Sequence, residues 1–144
     1  MPIGDSAVVT RQLLPYNGRQ PLTLKSNAMT VSRLLRLEGL AVFITSILLF
    51  IEFKGTWWVY LVFILAPDLS MLGYLANVRT GAFTYNLVHN YMLTIALIFA
   101  GYFLKSDVLL FAGIIILGHI GADRLLGFGL KYPTTFKDTH LQRI

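Results

Sequence analysis

After residue 33 the apolar residues gather into four stretches, Leu34–Ile51, Trp57–Ala76, Leu87–Leu104 and Val108–Phe128. Each approaches the roughly 20 residues that cross a hydrocarbon core of about 30 Å. None alternates with the period of two that a barrel strand needs, so helices are the predicted spanning form. The predicted connections, Glu52–Thr56, Asn77–Asn86 and Lys105–Asp107, are short. Short connections make consecutive helices antiparallel neighbours. The pattern therefore predicts an all-α fold, a four-helix transmembrane bundle running up-down-up-down. Gly127 and Gly129 are predicted to end the last helix. Ala96 with Ala100, and Gly118 with Ala122, are four apart, the spacing that lets helices approach closely, though both residue types are simply common in membrane spans.

Composition agrees with this reading. Of 144 residues 56% are apolar and only 13% charged, with a mean hydropathy of +0.66. A chain this small has too much surface to stay soluble with so little charge. The high hydrophobicity also excludes disorder. No cysteine is present, which removes disulfides, thiolate nucleophiles and thiolate metal sites.

Three regions are predicted: a flexible basic tail over 1–32, the transmembrane domain over 33–129, and a cytoplasmic C-terminal tail over 130–144. The N-terminal tail holds Pro2, Pro15 and Pro21, with a short amphipathic piece near Val8–Leu14. It does not read as a signal peptide, because the apolar run starts late and no small-residue cleavage site follows. Ser26-Asn27-Ala28-Met29 resembles an expression-vector scar, so residues 1–28 are either foreign or native; their removal is expected to leave the fold intact.

Cations set the predicted orientation. The tail, the 77–86 connection and the C-terminal side share Arg11, Arg19, Lys25, Arg33, Arg36, Arg79, Arg124, Lys131, Lys137 and Arg143, against Lys54 and Lys105 opposite. This bias puts both termini in the cytoplasm of a multi-pass inner-membrane protein. Trp57, Trp58 and Tyr60 then stand at the outer interface as anchors. The net charge of +5 reads as attraction to anionic lipid. Nucleic-acid binding is excluded as a reading, since no recognition motif accompanies the charge. The predicted partners are membrane lipid and a second copy of the chain.

Polar residues inside the spans carry the functional signal, because burying them in hydrocarbon is costly. Glu38, Asp68, Asn86, His89, Asn90, His119 and Asp123 all fall in the predicted cytoplasmic half. His119 and Asp123 are four apart on one helix face, and Asn86, His89 and Asn90 share another. Pro67 breaks the hydrogen-bond ladder and can release carbonyls beside Asp68. A pocket lined by Asp68, His89, His119 and Asp123 is expected. In the metal reading His89, His119 and Asp123 hold a divalent ion, zinc or manganese, and Asp68 and Asp123 are the catalytic carboxylates. A structural hydrogen-bond network and a proton or ion pathway remain open beside it. Arg124 reads as a snorkelling cation, and Glu38 as a partner of Arg36 or Arg124 or as water-facing. The segment around Asp138 and His140 reads as a solvated terminus, with folding back over the bundle mouth as the alternative.

The runs Pro67-Asp68-Leu69-Ser70-Met71-Leu72-Gly73-Tyr74, Tyr85-Asn86-Leu87-Val88-His89-Asn90, Gly118-His119-Ile120-Gly121-Ala122-Asp123-Arg124 and Gly129-Leu130-Lys131-Tyr132-Pro133 resemble a family of small bacterial membrane proteins, domain of unknown function 4260. The likeness spans about 33–142. It implies four spans and a bacterial membrane location, and no activity. The Pro-Asp pair and the intramembrane His and Asp residues are also loosely similar to small membrane-bound metal-dependent hydrolases. The preferred active function is a metal-assisted hydrolase opening to the cytoplasmic half, with a lipid-like or small polar substrate. A proton-coupled carrier or channel component, and a non-catalytic assembly partner, are the alternatives.

Overall fold

The computed structural model describes residues 22–143, with side chains from Thr30 onward. The expected amphipathic piece at 8–14 and the tail as far as residue 21 lie outside the described residues. Helix α1 (Leu22–Glu52) begins well before the apolar run at Leu34, so residues 22–32 are helical rather than loose. Helix α2 (Trp57–Phe63) is followed by a 3-10 helix (Ala66–Leu75). Then come α3 (Val78–Val88), α4 (Tyr91–Phe103), α5 (Asp107–Leu126) and a short 3-10 turn at His140–Arg143.

The domain is mostly α-helical and membrane-embedded. Three stretches are long and apolar enough to span: Thr30–Glu52, Trp57–Leu75 and Asp107–Leu126. The α3–α4 pair, bent by 41°, makes a fourth if it counts as one span. The expected 77–86 connection is not a loop. Asn77 caps a helix there, accepting from the Thr80 amide at 2.8 Å, and α3 runs on to Val88. Asn90 makes the bend. Its side-chain nitrogen donates to Asn86 O and Leu87 O at the end of α3, and its oxygen accepts from Leu93 N at the start of α4. One residue thereby satisfies orphan groups on two helix ends.

The ten-residue 3-10 helix is unusually long. Side chains three apart eclipse in this form, so it presents three rows. Leu69, Leu72 and Leu75 are exposed at 67%, 60% and 85%, an apolar row that suits lipid. Ser70 and Gly73 face α3, where Thr84 Oγ1 donates to Ser70 O at 2.7 Å. Asp68, Met71 and Tyr74 form the third row, which runs from the polar cluster to Lys131.

Helix α5 is the centre of the fold, packed on α1 on one side and α4 on the other. Glycines permit both approaches. A Cβ at Gly121 would fall 2.6 Å from Phe43 N, and one at Gly113 2.8 Å from Ile98 N. Phe50, Tyr60, Leu110, Ile114 and Ile115 form the apolar core. Ser46 gives its one proton to Phe43 O, so Tyr60 Oη donates to Ser46 Oγ at 2.7 Å and ties α2 to α1. As expected, α5 ends at Gly127, whose φ of 92° is left-handed. Gly127 N bonds Arg124 O and Phe128 N bonds Asp123 O at 2.7 Å, a Schellman ending.

The C-terminal segment folds back over the bundle rather than trailing into water. Lys131 and Thr139 form an antiparallel bridge, and Thr139 and Leu141 are buried. Asn86 binds the Lys131 backbone twice, donating to its O at 2.8 Å and accepting from its N at 2.7 Å. Arg143 pairs with Asp138 and lies over the Tyr132 ring. His140 Nδ1 accepts from Leu130 N at 2.9 Å, which requires a bare Nδ1.

This fold-back should be pH-sensitive. Burial, then the charge of Arg124, hold the His140 imidazole below its ordinary 6.5. The folded segment therefore binds fewer protons than the unfolded one, and its stability falls as pH drops below about 6.5. Hydrogen bonds from Arg143 and Thr134 hold Asp138 at about 2, so its contribution is intact at pH 5 and is lost as pH falls from about 4 through 2. Relative to their intrinsic rates, the amides of Leu130, Tyr132 and His140 should lose protection between pH 7 and 5, and exchange that tracks only the intrinsic chemical rate would refute the His140 latch.

Candidate metal centre

The break after α2 prepares the first ligand. In a 3-10 helix the donor for Ile64 O would be residue 67, but that is proline and has no N–H. The next amide, Asp68 N, bonds Leu65 O at 3.1 Å instead. Ile64 O is thus left for a side chain, and His119 Nδ1 donates to it at 2.7 Å. Release of a carbonyl beside Asp68 is what Pro67 led us to expect, and its partner is His119.

The α3–α4 bend prepares the second. His89 sits at the end of α3, and its Nδ1 donates to Tyr85 O at 2.9 Å. Its ring also stacks on Tyr85, with centroids 3.7 Å apart. Both imidazoles therefore keep their proton on Nδ1, because a carbonyl can only accept. In the neutral form each Nε2 is a bare lone pair.

These two lone pairs face each other. His89 Nε2 and His119 Nε2 are 3.0 Å apart, and the residues are only 2% and 4% exposed. Asp68 Oδ1 lies 3.4 Å from His119 Nε2 and 3.7 Å from His89 Nε2. Three acceptors thus converge with no donor among them. Such a cluster suits a positive charge at its centre. Tetrahedral bonds of about 2.0–2.2 Å separate ligand atoms by about 3.4 Å, and the three spacings bracket that value. Nδ1 hydrogen bonds to carbonyls are also the usual way of aiming Nε2 at a metal. Asp68, His89 and His119 form a cluster able to hold a divalent metal ion.

Asp123 stands beside this group. Its Oδ2 is 3.9 Å from both Nε2 atoms and accepts a 2.6 Å hydrogen bond from Tyr85 Oη. All four residues singled out in the sequence thus converge, drawn from the 3-10 helix, the end of α3, and α5. Asn86 and Asn90 are not among them: the helix breaks after Val88, and the two asparagines hold the C-terminal segment and the bend. Glu38 is exposed and makes no ion pair among the described residues, and Arg124 Nη1 donates to Phe128 O at 3.4 Å.

Two contributors escaped the sequence. Tyr85 reads there as an ordinary aromatic before Asn86, yet it orients Asp123 and stacks on His89. Lys131 reads as a tail cation, yet it is 8% exposed. Its ammonium lies over the rings of Phe136, Tyr85 and Tyr74, at 3.8, 4.6 and 5.1 Å. Burial pushes its pKa below the usual lysine range, while Asp123 and Asp68 pull it up. The imidazole of His89 fills one face of Tyr85, so Lys131 takes the other.

The model of the family described as domain of unknown function DUF4260 matches residues 32–144. The chain belongs to this family. The match covers every element that builds the cluster, from the greater part of α1 to the C-terminal turn. No curated protein and no solved structure matches the chain. The DUF4260 assignment thus fixes family membership and carries no activity with it.

Proposed function

We propose that this DUF4260 protein is a metal-assisted hydrolase of the bacterial inner membrane, with its centre in the cytoplasmic half of the bundle. The observation that carries this reading is the pair of facing Nε2 lone pairs with the Asp68 carboxylate beside them. In it Asp68, His89 and His119 hold the ion, so Asp68 moves from the catalytic role assigned on sequence to a ligand role. Asp123, 3.9 Å from the imidazole nitrogens, is the general base rather than a ligand, and Tyr85 holds its Oδ2 in place. When bound, zinc or manganese would polarise a carbonyl or phosphoryl oxygen. Asp123 takes the proton from the attacking water and returns it to the leaving group.

Asp123→Asn should separate binding from chemistry. Zinc affinity should change less than about tenfold, while zinc-stimulated hydrolysis of a 4-nitrophenyl acyl ester falls about 100-fold or more. Zinc-loaded parent that hydrolyses no faster than buffer would sink the hydrolase reading.

The orientation rests on the cation bias, with α3 and α4 counted as one span and both termini cytoplasmic. Trp57 and Trp58, 71% and 52% exposed at the start of α2, fit the outer interface. Single cysteines at Lys54 and Arg79 should label from opposite sides, Lys54 from outside. Labelling of both from the periplasm would refute the arrangement.

A second reading has one observation in its favour. A single proton shared by two imidazoles 3.0 Å apart also relieves the lone-pair conflict. It predicts a proton relay and no metal uptake, so metal analysis of the detergent-purified protein decides between the two.

A further inference from the structure

Beside the cluster lies an apolar cavity of about 580 Å³. Its walls are Val59 and Phe63 of α2, Ala66 and Pro67, Val88, and the face of α5 from Val108 to Ile116, with Asp107 at the far end. Its near end is walled by neighbours of the centre's residues. Pro67 precedes Asp68, Val88 precedes His89, and Ile115 and Ile116 lie one turn before His119 on the same helix face.

The length and lining restrict what can occupy it. From Asp107 to Ile116 the helix advances about 13.5 Å at 1.5 Å per residue. The walls between Asp107 and the centre offer no side-chain hydrogen-bond donor, so a polar ligand would lose its water partners for nothing. A hydrocarbon chain needs no such partners, and it is what the surrounding bilayer supplies.

We propose that this cavity is an acyl-chain site, and that the substrate of the Asp68/His89/His119 centre is a lipid whose chain lies in the cavity with its scissile carbonyl at the centre. The assignment of a substrate rests on the hydrolase reading; the acyl-chain site itself does not. In the reaction the water oxygen bonds to the acyl carbon and the bond from that carbon to the head group breaks. One water proton passes through Asp123 to the departing head group, leaving a fatty acid and an alcohol.

The test uses the full chain in lipid nanodiscs and an alkyl hydroxamate bearing a photoactivatable diazirine in its chain. The hydroxamate head chelates zinc, so head and tail report separately. Labelling should saturate and fall on Val59, Phe63 and Ala112, with the lipid-facing row Leu69, Leu72 and Leu75 labelled weakly and without saturation. Ala112→Phe, which fills the cavity, should cut the saturable labelling at least tenfold, and Ala66→Leu from the facing wall should do the same should the first variant fail to fold. Zinc should tighten labelling of the parent about tenfold and have no effect on His119→Ala. Saturable cavity labelling indifferent to zinc would keep the acyl site and overturn its link to the metal centre. Unsaturable labelling equal on the cavity and on the leucine row would overturn the site itself.

Discussion

A His119→Ala chain should bind zinc at least 100-fold more weakly than the parent, because it loses one of three protein ligands. That exceeds the loss of about 10- to 100-fold that follows removal of a hydrogen-bond partner behind a ligand. Stability should reveal the same difference. An ion that binds only the folded chain stabilises it by about 2.7 kcal/mol at 100 times its Kd. Zinc should therefore raise the Tm of the parent and leave that of His119→Ala unmoved. In the absence of metal the substitution has two opposed effects. It leaves Ile64 O without its 2.7 Å donor, which costs about 1–3 kcal/mol, and it removes the lone pair facing His89. The metal-free variant should consequently lie close to the metal-free parent. A parent whose Tm ignores zinc and manganese, with a variant destabilised under all conditions, would instead mark the cluster as a structural network or proton relay.

How far the sequence reaches can be judged from particular residues. Three spans were legible because hydrocarbon demands long apolar runs, whereas the expected span Leu87–Leu104 starts inside α3 and crosses the bend at Asn90; the convergence of Asp68, His89, His119 and Asp123 was legible because buried ionisable groups seek one another. The breaks were harder. Asn77–Asn86 reads as a connection because Asn77, Arg79 and Asn86 interrupt the apolar run, yet Asn77 is a helix cap and α3 follows it. The 3-10 helix did leave a trace: Leu69, Leu72 and Leu75 recur every three residues, as do Asp68, Met71 and Tyr74. A period of three drifts round an α-helix by about 60° per step, whereas in a 3-10 helix it stays in register and sets out a lipid row and a site row. Tyr85 and Lys131 carried no such signal. Their roles depend on contacts across 38 residues, from Tyr85 to Asp123, and 45 residues, from Asn86 to Lys131, which no local pattern encodes. The fold-back of 130–141 stood only as the alternative to a solvated terminus for the same reason, since its anchor is the side chain of Asn86.

Gly121→Leu should do the greatest damage to the fold, and through the fold to the centre. A Cβ at Gly121 would stand 2.6 Å from Phe43 N and 2.9 Å from Gly39 O, which are backbone atoms and cannot rotate away. The contact is reciprocal, for a Cβ at Gly39 would meet Arg124 Cβ and Leu125 N, both at 2.6 Å. A leucine therefore has to push α1 and α5 apart. Overpacking typically costs about 1–3 kcal/mol, occasionally more. The loss should reach the top of that range here, since helices in lipid are held by close packing rather than by exclusion of water. Gly121 lies between His119 and Asp123, so the displacement moves both. The variant should lose thermal stability and zinc affinity together, whereas Met92→Ala, at a side chain 83% exposed on α4, should change neither. Should Gly121→Leu keep its Tm and its zinc affinity, the α1–α5 contact would not be what positions the centre, and the placement of His119 would have to come from the Ile64 carbonyl alone.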